Sequence, residues 1–257
     1  MHVVAIQSDI QWEDRKANHA NVRALVARAH VPPGSLVVLP ELFDTGFSMN
    51  TAVTDPGDPS TSETFLRELA TGHKIAVLAS LVARTGDGKH ANEAVAFAPD
   101  GSLLARYRKC RPFSLAGEHL HYCAGDSHVS FEWDGCRIAP FICYDLRFPE
   151  LFRPAALECD LMVVVANWPE TRSEHWVRLL QARAIENLAW VLGVNRTGRE
   201  PTLIYNGRSC LFDPHGRQVF EADARQQVLT AGIDPGEARR WREKFPVLQD
   251  MQTSKRL

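Results

Sequence analysis

Three residues stand at or beside the ends of apolar runs where their chemistry could be used. Glu41 follows Ser35-Leu-Val-Val-Leu-Pro40 directly. A carboxyl at the rim of an apolar strand is partly desolvated, which raises its pKa toward the range useful for proton transfer. Cys143 ends Arg137-Ile-Ala-Pro-Phe-Ile142, and Pro149 suits the first turn of the helix that follows. A thiol on such a strand-to-helix turn is exposed, and the next backbone N–H, that of Tyr144, is placed to receive an oxyanion. Lys109 closes the basic run Arg106-Tyr-Arg-Lys109. A lysine beside the thiol would favour the thiolate and stabilise charge on an attacked carbonyl.

Each residue also has a plainer reading. Glu41 could cap a loop, Cys143 could pack in a core, and Lys109 could end a solvated strand. Asp145 and Arg147, just after the cysteine, argue for a polar cleft there rather than a sealed core.

The elements that must position these residues alternate between apolar strands and amphipathic helices, an α/β pattern. The first half reads as strand 2–7, helix 14–29, strand 36–39, helix 60–69, and strands 75–81 and 91–98 with a hairpin turn at Pro99-Asp100-Gly101. An irregular loop spans 109–127. The second half repeats the theme with strand 137–143, helix 149–157, strand 161–165, helix 174–188 and strand 190–194, then strands near 209–212 and 228–233. Wholly apolar inner strands require cover on both faces. A four-layer α-β-β-α sandwich satisfies this, as would two doubly wound sheets side by side. No linker divides the 257 residues, so residues 1–257 read as one domain.

A formal charge of −2 with interspersed signs gives no broad basic face for nucleic acid or an anionic membrane. Met1 to Gln7 reads as a strand start rather than a signal peptide, and the longest apolar stretch, Leu161 to Trp168, is too short to span a bilayer. Six cysteines without a regular framework fit a reducing cytoplasm.

Taken together, Pro40-Glu41-Leu-Phe43, Tyr107-Arg-Lys109 and Cys143-Tyr-Asp-Leu-Arg-Phe-Pro-Glu150 resemble, in order and spacing, the motifs of the nitrilase superfamily of carbon–nitrogen hydrolases. The resemblance implies a Glu-Lys-Cys triad working through a thioester, with no metal or other cofactor. Glu118, in Ala116-Gly-Glu118 ahead of Gly125-Asp126, matches the second glutamate that orients the family's lysine. His119 and His121 then read as pocket or loop residues rather than zinc ligands.

Within the superfamily the chain is most similar to the ω-amidases, on the strength of Asn167-Trp-Pro169, the helix Gln181-Ala-Arg-Ala-Ile-Glu-Asn187 and Glu243-Lys-Phe-Pro246. That implies a small 2-oxo dicarboxylic acid monoamide as substrate. A substrate carboxylate calls for an arginine, and Arg147 and Arg172 are the candidates; the competing reading of Arg147 is an ion pair with Asp145 or Glu150. Phe47, Trp168 and His175 are expected beside the substrate, Phe47 standing where some ω-amidases have tyrosine. The resemblance also implies a homodimer across helix 174–188; its stripe Trp176, Leu180 and Ala184, widened by Val177 and Leu188, fits burial against the chain's own sheet, and the competing reading is that the helix only covers its own domain. Ala182 gives a close-approach point, and Arg178 and Glu186 are available for reciprocal contacts. Deaminated-glutathione amidases, N-carbamoyl amino-acid hydrolases and nitrilases would share the triad. Thiol acyl transfer would share the thioester, and a non-catalytic binding protein would not need all three residues.

Overall fold

The computed structural model describes residues 1–253. Its strands are β1 (His2–Gln7), β2 (Leu36–Val38), β3 (Ala76–Arg84), β4 (His90–Phe97), β5 (Leu103–Arg108), β6 (Phe131–Trp133), β7 (Cys136–Ile142), β8 (Leu161–Ala166), β9 (Trp190–Asn195), β10 (Thr197–Arg199), β11 (Ile204–Asn206), β12 (Cys210–Phe212), β13 (Gln218–Glu221) and β14 (Gln227–Gly232). Two six-stranded sheets result, ordered β14-β1-β2-β3-β4-β5 and β13-β12-β9-β8-β7-β6, and β10-β11 forms a separate hairpin. The centre of each sheet is parallel, β1-β2-β3 in one and β7-β8-β9 in the other.

Alternation along the strands separates the layers. Val4 and Ile6 of β1, Val37 of β2 and Val77 of β3 pack with Val22, Leu25, Phe65 and Leu69 of two helices, Arg15–Ala29 and Thr61–His73. Their neighbours Val3, Ala5, Leu36, Val38 and Leu78 join Ile138, Phe141, Met162 and Val164 of the other sheet in one core. Successive side chains of a strand point to opposite faces, so each sheet is covered on both sides. The architecture is the four-layer α-β-β-α sandwich, not two sheets side by side.

Helix Ser173–Asn187 covers the second sheet closely at Gly193, where a Cβ would overlap Leu180 and Trp176. Trp176, Leu180 and Ala184 are accordingly buried against the chain's own sheet. Glu186 is engaged within the chain, 2.7 Å from Arg183 and 3.2 Å from Arg153. This removes it as a free partner for Arg178, which stays exposed with an i,i+4 contact to Glu174.

Differences from the expected elements lie mainly at ends and edges. Asp14 and Ser60 are N-caps rather than first helical residues, each accepting from a backbone N–H in the first turn. The loop after Lys109 contains two short 3₁₀ turns, Ser114–Ala116 and Glu118–Leu120. The hairpin β10-β11, edge strand β13, and helices Pro235–Lys244 and Val247–Thr253 were not anticipated. Among the described residues no helix is long and apolar enough to cross a membrane.

Candidate active site

The three residues singled out by type converge where strands of both sheets end. Lys109 follows β5, its backbone N–H bonded to the Asn92 carbonyl at 3.0 Å. Its Nζ lies 2.7 Å from Glu41 Oε1 and 3.0 and 2.8 Å from the two oxygens of Glu118. Lys109 is 1% exposed, and Glu41 and Glu118 are fully buried. Burial alone would lower the lysine's pKa, but the charges of Glu118 and Glu41 outweigh it and hold the ammonium above its ordinary value.

Glu118 is brought to the lysine by the loop. Its carboxylate accepts from the Phe113 N–H. Gly125, part of the Gly-Asp pair that flagged this loop, donates to the Lys109 carbonyl at 2.8 Å, and a Cβ there would overlap the Arg108 carbonyl. His119 and His121 are exposed and do not line the cavity described below. No group of three or more His, Cys, Asp or Glu among the described residues is arranged to hold a metal.

Cys143 begins a 3₁₀ turn, Cys143–Arg147, with φ +46°. Such a conformation costs a non-glycine residue on the order of 1–3 kcal/mol and persists where its surroundings enforce it. Here Asp145 does so. Fully buried, it accepts from the Ile142 N–H at 3.0 Å, the Arg111 N–H at 2.8 Å and the Tyr107 hydroxyl at 2.8 Å. Burial pushes its carboxyl up to about 6 against the pull of Lys109 and these donors. The Tyr144 N–H lies in the first turn, where an amide has no intrahelical acceptor.

Lys109 does favour the thiolate, as expected, but it does not decide the ionisation. Burial, with the Glu41 carboxylate beside it, pushes the Cys143 thiol well above the usual thiol range, and Lys109 does not offset them. Two carboxylates share one ammonium, so a thiolate would add a second net negative charge. This favours the neutral thiol at rest.

Two asparagines of the site were given no role from the sequence. Asn92, in the middle of β4, donates through Nδ2 to Glu41 Oε1 at 2.8 Å and Glu118 Oε1 at 3.1 Å, while its Oδ1 accepts from Ser80 Oγ at 2.6 Å. Asn167, noted only as part of a motif, donates its N–H to Glu41 Oε2 at 2.8 Å and Nδ2 to the Glu41 carbonyl at 2.6 Å. A polar residue inside an otherwise buried strand was the available signal for Asn92.

Cys143 opens into a cavity of about 270 Å³, whose lining includes Phe47, Tyr144, Arg147, Asn167, Trp168 and Arg172. Phe47 also faces Lys109, with Nζ 5.2 Å from its ring centre. Arg147 stacks over Trp168 at 4.8 Å and Arg172 over Phe113 at 5.7 Å. The proposed ion pair of Arg147 with Asp145 or Glu150 is not formed: Asp145 is taken as above, and Glu150 lies 3.7 Å from Arg111. Neither arginine has a carboxylate partner among the described residues. Burial, then the charge of Arg172, lowers the Arg147 pKa. His175 is exposed and outside the cavity lining, meeting Arg147 Nη2 at 3.3 Å.

The carbon-nitrogen hydrolase family model matches residues 2–243. The chain is 36% identical to the omega-amidase YafV of Yersinia enterocolitica, covering 97% of this chain and 96% of that protein. To the 2-oxoglutaramate amidase of Bacillus subtilis it is 34% identical over 84% of this chain and 85% of the relative. Among solved structures, XC1258 from Xanthomonas campestris, a CN-hydrolase superfamily protein with an arsenic adduct in its active site, superposes with a TM-score of 0.90 at 35% identity, covering 97% and 96% of the two chains. An amidase fold, a buried Glu-Lys-Glu cluster beside a strained cysteine, and this likeness over nearly the whole length agree: the chain belongs to the carbon-nitrogen hydrolase family, within the nitrilase superfamily, and is a hydrolytic amidase.

Proposed function

We propose that the protein hydrolyses the terminal amide of a small 2-oxo dicarboxylic acid monoamide, such as 2-oxoglutaramate or 2-oxosuccinamate, to the diacid and ammonia. The observation that carries the reading is the pair of arginines, Arg147 and Arg172, lining the same small cavity as Cys143 without a carboxylate of their own. A carboxylate on the substrate would supply the missing charge, and a guanidinium can take it with two parallel bonds. The names of the omega-amidase and 2-oxoglutaramate amidase relatives support the same class.

In this reading Glu41 takes the thiol proton as Cys143 Sγ bonds to the amide carbon. The oxyanion is received by Lys109 and the Tyr144 N–H. Lys109 can turn toward it because two of its three contacts go to one carboxylate, that of Glu118. When the C–N bond breaks, Glu41 returns the proton to the departing nitrogen, leaving a thioester and ammonia. The same carboxylate then deprotonates water, the S–C bond breaks, and the proton returns to sulfur. In this reading the resting thiol is neutral, so the base is needed in both half-reactions. Asn92 and Glu118 hold Lys109 and Glu41 in register, and no metal or other cofactor has a role.

The assembly that fits this reading is a dimer across helix Ser173–Asn187, around Ile185, which is 51% exposed. Six free cysteines support a reducing compartment, the cytoplasm, as its location. The test of function is ammonia release from 2-oxoglutaramate, 2-oxosuccinamate, succinamate, glutamine, a nitrile and an N-carbamoyl amino acid. The two 2-oxo monoamides should lead in kcat/KM; preference for the nitrile or the N-carbamoyl compound would reject this branch.

A further inference from the structure

Trp168 follows β8 by two residues and forms part of the cavity wall beside Cys143. It is 3% exposed, and every polar atom it carries is engaged. Its backbone N–H donates to Asn195 Oδ1 at 2.8 Å, and its carbonyl accepts from Asn195 Nδ2 at 2.9 Å. Asn195 ends β9, which pairs with β8 at the centre of the second sheet, so the main chain at Trp168 is tied to the most deeply packed strands. The indole N–H donates to the Arg172 carbonyl at 2.8 Å. Over the same ring, at 4.8 Å from its centre, lies the guanidinium of Arg147.

Trp168 thus touches both arginines of the cavity, by different means. A stacked guanidinium gives its flat face to the ring, and its N–H donors, which lie in the plane, are left for other partners. Arg147 Nη2 meets His175 Nδ1 at 3.3 Å; an acidic partner in place of the ring would have taken the donors in pairs and cancelled the charge. On Arg172 the grip is on the main chain. The indole bond closes the turn 168–172, in which the Arg172 N–H also donates to the Pro169 carbonyl at 3.0 Å, and the Arg172 side chain leaves that turn to stack over Phe113 at 5.7 Å. Two guanidinium groups lining one small cavity repel each other, so holding them there requires contacts that fix them without neutralising them. Trp168 provides both, and filling space alone would call for neither the indole N–H nor the stacked cation.

We propose that Trp168 is a positioning residue that presents Arg147 and Arg172 to the substrate carboxylate. The inference rests on the monoamide reading given above, in which these arginines hold that carboxylate. Trp168 takes no part in making or breaking bonds at the amide. Its contribution is to binding and is the same before and during reaction, so its loss raises KM by a larger factor than it lowers kcat. Because it acts through the arginines, its loss matters less once the arginine it serves is gone. A merely structural role would give the same factor whether or not the arginine is present.

The experiment measures kcat and KM of the full chain for 2-oxoglutaramate in two double-mutant cycles. Trp168→Leu removes the ring and is combined with Arg147→Ala. Trp168→Phe keeps a ring face for Arg147 but removes the bond to the Arg172 carbonyl, and is combined with Arg172→Ala. Trp168→Leu should raise KM by about tenfold or more, the scale of a weakened bond between charged groups, and Trp168→Phe should raise it by less. In both, kcat should fall by the smaller factor. Each tryptophan variant should raise KM distinctly less when its paired arginine is already alanine. Equal factors in the two backgrounds, or a loss confined to kcat, would overturn the role of Trp168 while leaving the arginines theirs. Should Trp168→Leu fail to fold, the cycle of Trp168→Phe with Arg172→Ala decides by the same criterion. Absence of ammonia release from 2-oxoglutaramate, or a KM unmoved by either arginine variant alone, overturns the monoamide reading itself and the role of Trp168 with it.

Discussion

Lys109 Nζ lies 2.7 Å from Glu41 Oε1 with both side chains sealed from solvent. The pair makes one ionic unit with Glu118, and removal of the cation leaves two buried carboxylates facing each other. Lys109→Met should therefore lower stability by roughly 3–5 kcal/mol, the usual result of stranding a buried charge. Adding Glu118→Gln should restore part of that loss. Urea unfolding of the single and double variants measures both; additive losses would mean that the two residues do not share the charge.

Glu41→Gln keeps the shape and cannot accept a proton. Turnover should fall by at least the roughly 10²–10⁴-fold typical of losing a general base. Its effect on the thiol should run the other way. The Glu41 charge helps hold the Cys143 pKa up, so the variant's thiol should ionise at lower pH. Thiolate absorbance against pH reads this directly, and a thiol pKa that rises in Glu41→Gln would contradict the assigned electrostatics.

Asn92 is the least conspicuous member of the cluster and offers an independent check on it. Asn92→Ala removes donors from Glu41 and Glu118 and leaves Ser80 Oγ without its acceptor. Unmade buried hydrogen bonds cost about 1–3 kcal/mol each, so both stability and kcat should fall. Wild-type values for both would remove Asn92 from the site.

Asp145 supplies a pH test with a definite sign. Its carboxyl, pushed up to about 6 from an ordinary 3.8, keeps its proton in the fold when the unfolded chain would release it. The associated stability is present below about 3.8 and is lost as pH rises through about 6. Tyr107→Phe removes a donor to the carboxylate and raises this pKa further. The stability deficit of the variant should be larger at pH 8 than at pH 5, by denaturation at the two values; a deficit independent of pH would exclude Asp145 as its cause.

A dimer across helix Ser173–Asn187 predicts a species near twice 28.8 kDa by sedimentation at micromolar concentration. Ile185→Asp, at the exposed face, should shift it toward monomer. A fully active monomer would reject this interface.

Much of the site was legible because its residues interrupt strong local patterns. Glu41, Lys109 and Cys143 each break an apolar or strand-like run, whereas Glu118 was reached only through the likeness of its loop to the family's. The two-sheet arrangement followed from strands apolar on both faces. Asn92 was passed over although it is a polar residue in an apolar strand, and only tertiary pairing with Ser80 and Glu41 reveals its burial. The hairpin β10-β11 lies in a short, pattern-poor stretch beyond the reach of periodicity. The ionisation of Cys143 was legible only in part for a related reason: Lys109 lowers its pKa as expected, but the two carboxylates and the desolvation around it come from the tertiary fold.

The most direct test of the account is to quench the protein during turnover of 2-oxoglutaramate at low pH and map the modified peptide by mass. The expected result is an acyl adduct on Cys143, equal to the substrate less ammonia, that forms far more slowly in Glu41→Gln and is absent from Cys143→Ala. Steady ammonia release with no adduct on Cys143, or turnover retained in Cys143→Ala, would contradict it.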